Sequence, residues 1–164
     1  MQETRVGIGY DVHKFADSEQ RVLMPICGVM VEHDRQILAH SDGDVGIHAV
    51  VDAMLGAVAA GDIGQHFPST DPRWKDKDSS HFLLYANDLL KEKGGFLVNL
   101  DVVIICERPK IGSHRQKMRE RLAAILNINI SRVSVKATTT DKLGFLGRKE
   151  GLAAQAVVSC LLEI

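Results

Sequence analysis

The sequence predicts an α/β or α+β domain with helices packed on one face of a sheet. Residues 4–14 and 132–138 alternate, and 97–106 is rich in β-branched residues, as strands are. Residues 43–60, 79–93 and 114–127 have helical length and composition. The two kinds of segment intermix along the chain, with no internal repeat, low-complexity tract or long linker. A length of 164 residues fits one domain, 1–164, which should bury roughly 70% of its unfolded surface.

Each element has a local reason. Residues 4–14 (TRVGIGYDVHK) carry no helix-length apolar stripe and read as a strand. Residues 21–31 read as short strand pieces broken by Pro25 and Gly28. The alanine-rich helix over 43–60 can start at Asp42 or Asp44 and end at Gly61, and its small side chains suit close packing on a sheet or another subunit. Residues 62–77 contain two prolines and read as an irregular loop. The next helix, 79–93, starts at Asp78 or Ser79 and stops at Gly94-Gly95. Ser113 is the expected N-cap of the helix over 114–127, whose Arg115, Lys117, Arg119 and Arg121 read as a solvated face. The tail, 151–164, is open between helix and strand: Ala153, Ala154 and Ala156 favour the first, Val157, Val158 and Cys160 the second.

Composition removes several function classes. With 45% hydrophobic and 25% charged residues the chain reads as a soluble globular protein. Twenty basic and 21 acidic residues leave a formal charge of −1, without the basic excess that a nucleic-acid partner requires. Any phosphate must be bound by a few placed groups. The N-terminus has no signal pattern and no apolar run nears ~18 residues, so no membrane partner is expected and the cytoplasm is the expected location. Cys27, Cys106 and Cys160 are odd in number and far apart, as in a reduced cytosolic protein.

Asp11 and His13 lie two apart on a strand, so both point to the same face and can reach one ion. One carboxylate and one imidazole suit zinc at about 2.0–2.2 Å. A third ligand must come from elsewhere, and the segment HSDGDVGIH offers His40 and His48. Three protein ligands with one open position is the arrangement of catalytic zinc. The competing reading is a D-x-H of no function, with the strand histidine merely hydrogen-bonded in the core. His33, His66, His81 and His114 show no clustering and read as surface or loop residues. Asp44, His48 and Asp52 share one helix face, so Asp44 or Asp52 can orient the His48 ring. The mid-helix, apolar setting of Asp52 itself argues for a partner.

The run Lys136 to Phe145 (KATTTDKLGF) follows a strand. Its hydroxyls at Thr138, Thr139 and Thr140, the charges of Lys136 and Lys142, and the carboxylate of Asp141 suit a diphosphate with magnesium, although such a run can equally be a plain turn. There is no Walker A or G-x-G-x-x-G pattern.

Taken together, GYDVH (9–13), LAHSDGDVGIHAVVDAMLGA (38–57), GDIGQHFPSTDP (61–72) and KATTTDKLGFLGRKEG (136–151) closely resemble the 2-C-methyl-D-erythritol 2,4-cyclodiphosphate synthase family, in order along nearly the whole chain. The resemblance implies a single ferredoxin-like domain with a mixed four-stranded sheet, assembling as a homotrimer with active sites at subunit interfaces. It implies conversion of 4-diphosphocytidyl-2-C-methyl-D-erythritol 2-phosphate to the 2,4-cyclodiphosphate and CMP, in the non-mevalonate route to isoprenoid precursors. At this length a second, cytidylyl-transferring domain is not expected.

By the same resemblance, Asp11, His13 and His48 match the zinc ligands. His40 and Ser41 match a flexible loop at the substrate phosphate, and Asp62 and Gly64 match the methylerythritol site. Thr138 and Thr139 match phosphate contacts from the neighbouring subunit. The stretch Cys106 to Ile111, with Lys110, matches the cytidine pocket, where recognition is largely by backbone. Phe145, Arg148 and Glu150 match residues near a central trimer cavity that in some members holds an isoprenoid diphosphate. Thr139 and Asp141 join the zinc ligands as the implied catalytic set. Asp141 stands where the magnesium or manganese ligand is usually Glu, and Ser69 stands where many members have Asp. Two rival classes are a zinc phosphodiesterase using metal-bound water and a non-catalytic diphosphate-binding module.

Overall fold

A computed structural model describes all 164 residues. In chain order the elements are β1 (Gln2–Phe15), β2 (Val22–Ile26), β3 (Val29–His33), β4 (Ile37–Leu38), α1 (Val45–Ala57) and α2 (Ile63–His66). There follow α3 (Ser80–Glu92), β5 (Gly95–Ile105), α4 (Arg115–Leu126), β6 (Val133–Thr138), α5 (Gly144–Gly147) and β7 (Gly151–Glu163). One sheet has the order β4-β1-β7-β5-β6, and β2 and β3 form a separate hairpin. β7 is antiparallel to both β1 and β5, while β5 and β6 are parallel.

The sheet is mixed, as expected, but two details differ. It has five strands rather than four, because Ile37 and Leu38 pair with Phe15 and Lys14 at its edge. Its connectivity is also not ferredoxin-like. That motif runs β-α-β-β-α-β. Here the long elements run β-α-α-β-α-β-β, with α4 crossing between the parallel pair β5 and β6.

Helices α1, α3 and α4 cover one face, and a single cluster of 38 buried apolar residues lies between them and the sheet. On β1 the residues at odd positions from Gly7 to Phe15 face this layer, while Val6, Ile8, Tyr10 and Val12 stay exposed on the other. Eleven of the 13 residues of α1 are buried, so its surface is apolar nearly all round. Full burial of each of its large side chains, such as Leu55 or Met54, contributes about 1.5–3 kcal/mol. No helix is long and apolar enough to cross a membrane.

Several boundaries depart from the sequence reading, each for a local reason. Pro25 does not break β2; it sits inside a two-stranded ribbon opposite Met30. The turn is Cys27-Gly28, with φ of 50° and 74°, the pair of positive values that a two-residue hairpin turn of right-handed twist needs. α1 ends at Ala57, ahead of Gly61, because Val58 already leaves helical geometry. The 62–77 segment is not structureless. Asp62 caps α2 in a reciprocal capping box with Gln65, and Pro72–Trp74 forms a 3-10 turn capped by Asp71. Ser113 does not cap α4; it lies within a 3-10 turn, Gly112–His114, that leads into the helix. Arg119 is more than a solvated charge, since it donates to the carbonyls of Val133 (2.8 Å) and Ile130 (3.2 Å) and ties α4 to the start of β6. The ambiguous tail is strand β7, the middle of the sheet.

Candidate metal centre and substrate cleft

Helix α1 reaches β1 because the strand carries glycine where the helix crosses. A Cβ added to Gly7 would fall on the carbonyl of Ala53, and one added to Gly9 on the carbonyl of Ala49. The alanines of α1 complete this backbone-to-backbone contact. It carries His48, one residue before Ala49, against the strand position two beyond Gly9, which is Asp11.

Asp44 sets the other end of the helix. Its buried carboxylate accepts from Ile47 N (3.0 Å) as the N-cap, and from Cys27 N (2.8 Å) and Gly28 N (2.7 Å) at the hairpin turn. Burial raises its pKa, and the backbone N–H donors only partly offset that.

Three donor atoms converge at this crossing. His13 Nε2 lies 2.9 Å from Asp11 Oδ2 and 3.2 Å from His48 Nδ1, and His48 Nδ1 lies 3.2 Å from the same Asp11 oxygen. They form the one His/Cys/Asp/Glu group with metal-holding geometry. A tetrahedral zinc with bonds of about 2.0–2.1 Å places its donors about 3.3–3.4 Å apart, close to this triangle. Two imidazole nitrogens facing each other beside a carboxylate offer three lone pairs to one point, so the donor set fits a metal ion. Burial pushes the Asp11 carboxyl up, but hydrogen bonds and charge from His13 and His48 outweigh it and hold it at about 2. Burial disfavours the His48 imidazolium, yet Asp11, with Asp44 and Asp42 behind it, raises its pKa overall.

His13 and His48 also line a cleft of about 280 Å³ with His40, Ser41, Gly64, Ser69 and the aromatic residues Phe67, Trp74 and Phe82. His40 is fixed at the rim: its Nε2 lies 3.1 Å from the carbonyl of Asp71, and its own carbonyl accepts from Asp76 N (2.8 Å). Asp62 stands at the N-terminus of α2, at the side of Gly64. Asp52 accepts from Ile63 N (2.7 Å), so it holds the Asp62–Gly64 segment rather than His48. Neither Asp44 nor Asp52 orients the His48 ring. That ring instead meets Ser79 Oγ (2.8 Å) and Ser41 Oγ (3.1 Å) through Nε2.

Ser79 and the cleft aromatics carry no spacing signal in the sequence. Ser79 reads there only as a helix cap, Phe67 and Trp74 as part of an irregular loop and Phe82 as part of a helix. Of the histidines without clustering, His66 bonds Tyr85 Oη (2.9 Å) and the carbonyl of Ala60 (2.7 Å), and the largely covered ring of His33 packs on Phe15 with centroids 4.5 Å apart.

The chain does not bring the remaining candidates to this cleft. Thr138 is level with Ile105, Ile105 with Ala153, and Ala153 with Val12. Three strand spacings therefore separate Thr138 from the metal ligands, roughly 14 Å. Thr138, the last residue of β6, is exposed, as are Thr139 and Asp141 in the loop that follows, whose Asp141 and Lys142 have φ of 55° and 63°. Glu107 closes that loop, accepting from Thr140 N (3.2 Å) and Lys142 N (3.0 Å). Cys106 and Ile111 are buried, and burial raises the Cys106 thiol to about 11. Lys110 lines a separate cavity of about 540 Å³ together with Arg35, Arg108 and Lys149. Phe145 and Arg148 are exposed at α5, where Arg148 pairs with Glu150 (2.8 Å).

Comparisons with known proteins give the family and the fold. Residues 4–161 match the YgbB family. The chain is 56% identical over 162 residues to the 2-C-methyl-D-erythritol 2,4-cyclodiphosphate synthase of Ehrlichia canis, covering 97% of this chain and 94% of the relative. It is 59% identical over 156 residues to the bifunctional enzyme IspD/IspF of Caulobacter vibrioides, covering 95% of this chain but only 40% of that longer protein. Among solved structures, the IspF of Plasmodium falciparum in its CDP complex superposes with a TM-score of 0.85 at 34% identity, covering 98% of this chain and 97% of that one. The bifunctional IspDF of Campylobacter jejuni superposes with a TM-score of 0.92 at 39% identity, covering 99% of this chain and 43% of that one. With a family match over residues 4–161 and a 56% identical relative along nearly its whole length, the chain belongs to the YgbB family of 2-C-methyl-D-erythritol 2,4-cyclodiphosphate synthases.

Proposed function

We propose that this phosphorus–oxygen lyase converts 4-diphosphocytidyl-2-C-methyl-D-erythritol 2-phosphate to 2-C-methyl-D-erythritol 2,4-cyclodiphosphate and CMP. The observation that carries the reading is the convergence of Asp11, His13 and His48 beside the His40–Ser41 loop and Gly64. The family and its CDP-bound member support it.

The reaction is an internal displacement. An oxygen of the 2-phosphate attacks the β-phosphorus, the bond from that phosphorus to the bridging oxygen breaks, and the bridging oxygen leaves with CMP. The nucleophile belongs to the substrate, so the enzyme needs no Ser or Cys nucleophile, and the raised pKa of Cys106 suits an inert thiol. The task is to fold a flexible polyanion into an in-line geometry, which can supply several kcal/mol.

In this reading Asp62 and Gly64 hold the methylerythritol unit, while His40 and Ser41 meet its phosphate. The segment Cys106–Ile111, through its backbone and Lys110, takes the cytidine, and Thr138 and Thr139 take the diphosphate. Asp11, His13 and His48 would hold zinc and Asp141 magnesium or manganese; when bound, these ions neutralise the diphosphate and polarise the attacked phosphorus.

The roughly 14 Å between Thr138 and the triad supports a homotrimer in which one subunit's phosphate loop serves its neighbour's cleft. The uncovered apolar side chains of β1 support the same arrangement, with Val6 65% and Ile8 64% exposed. Phe145 and Arg148 then face the trimer's central cavity, where an isoprenoid diphosphate can bind. A cytoplasmic location belongs to the same proposal.

Incubation with the cytidine diphosphate substrate and magnesium tests the reading by phosphorus NMR. CMP and a cyclic diphosphate are expected. A linear, water-derived product would mark a phosphodiesterase, and no turnover by a zinc-loaded protein would mark a binding module.

A further inference from the structure

A hydrogen-bond chain of readable polarity runs into the His48 ring from outside the cleft. The Asp42 carboxylate accepts from Asp44 N (3.0 Å to Oδ1), from Ser79 N (2.9 Å to Oδ2) and from the Ser79 hydroxyl at Oδ1. A carboxylate only accepts, so Ser79 directs its one hydroxyl proton to Asp42. The Ser79 oxygen keeps its lone pairs, and 2.8 Å away it meets His48 Nε2. Two acceptors cannot bond each other, so Nε2 carries a proton there. Ser41 Oγ, 3.1 Å from the same nitrogen, can share that N–H as a second acceptor. A neutral imidazole has one N–H, which leaves Nδ1 bare, and Nδ1 is the atom facing Asp11 and His13, 3.2 Å from each.

A second observation points the same way. Ser79 sits at the N-cap of α3, where serine normally accepts from a backbone N–H of the first turn, yet its side chain makes no cap bond. It is fully buried, and its hydroxyl is given over to Asp42 and His48.

We infer that Ser79, held by Asp42, is a positioning residue that keeps His48 as the Nε2–H tautomer and so presents Nδ1 as the metal donor. A histidine ligand depends on the partner of its other nitrogen for tautomer and ring direction. Here that partner is a serine hydroxyl with a carboxylate behind it. The inference rests on reading the triad as a metal site.

The test has two arms. In the first, wild-type protein labelled with nitrogen-15 is loaded with zinc. The His48 ring is expected to show metal on Nδ1 and a slowly exchanging proton on Nε2. A proton on Nδ1 overturns the inference, and this arm needs no variant. In the second, cobalt affinity is measured by chelator competition for wild type, Ser79→Ala and Ser79→Thr. Ser79→Ala is expected to bind roughly 10–100-fold more weakly and to lose the protected Nε2–H signal. Ser79→Thr, which keeps the hydroxyl, is expected to restore both. A Ser79→Ala protein with wild-type cobalt affinity overturns the inference while leaving the metal site standing. A wild-type protein that takes up neither ion overturns the metal reading and this inference with it.

Discussion

Gly9 of β1 lies directly under Ala49 of α1, so close that a Cβ on Gly9 would occupy the position of the Ala49 carbonyl oxygen. This contact sets the height of α1 above the sheet. That height decides whether His48 Nδ1 can stand 3.2 Å from Asp11 Oδ2. Gly9→Ala should therefore act on stability and on the site together. The obstacle is backbone, not a movable side chain, so the cost should reach the upper end of the usual overpacking range, about 3 kcal/mol. Thermal unfolding and zinc stoichiometry on the same sample check this, and a variant with unchanged Tm and full zinc would refute it.

Glu107 joins the segment implied to bind cytidine to the loop implied to bind phosphate. Its Oε1 receives Thr140 N and Lys142 N, on either side of Asp141, while both Asp141 and Lys142 are held at positive φ. Such backbone persists only where the surroundings enforce it. Glu107→Ala should raise KM for the substrate roughly 10-fold, the loss of a charge-assisted hydrogen bond of about 1.5 kcal/mol. Its zinc content should stay at the wild-type level, since Glu107 follows β5, two strand spacings and roughly 10 Å from the strand of the triad. Steady-state kinetics with metal analysis separate the two effects.

The stability of the metal-free protein should change at both ends of the pH scale. His48 has a folded pKa above its ordinary 6.5, so its contribution is complete below 6.5 and is lost as pH rises through the folded value. Asp11 is held at about 2 against an ordinary 3.8, so its contribution is present above 3.8 and is lost as pH falls toward 2. Zinc should reverse the alkaline arm, because binding requires the unprotonated imidazole. Tm measured against pH, with chelator and with zinc, should give curves that diverge as pH rises. Parallel curves would argue against the triad as the ion's site.

The uncovered face of β1 should be buried by self-association. Ile8 is 64% exposed in the isolated chain, between Val6 and Tyr10 on the same face. Ile8→Glu would place a charge in that contact and should give a monomer by analytical ultracentrifugation. Because the face lies opposite the helices, the monomer should keep its zinc while losing turnover. A trimer that survives Ile8→Glu would place the interface elsewhere.

The legible parts of the fold were those with one-sided burial. β1 alternates because helices cover one of its faces, and α3 follows a buried stripe ending at Gly94-Gly95. β7 was not legible for the opposite reason. Leu152, Ala153, Ala154 and Ala156 are all fully buried, so no polar alternation marks the strand. Pro25 misled because its cost depends on whether its missing N–H faces a partner, which the sequence does not state. At the site, Asp11 and His13 were readable from strand periodicity, and His48 from its longer motif. The partner of His48 was assigned to Asp44 or Asp52 on helical spacing, and both proved to bind backbone elsewhere.

The sequence by itself determined the local chemistry of this protein: which segments could be strands and helices, which residue types could bind a metal or a phosphate, and the family they resemble. Those properties follow from residue type and short-range spacing. Only the tertiary structure decided that His48 meets Asp11 across a glycine contact, that Ser79 and Asp42 hold its ring, and that Thr138 stands three strands from the triad. Each depends on distances between segments far apart in the chain, and such distances are set by how closely backbones pack.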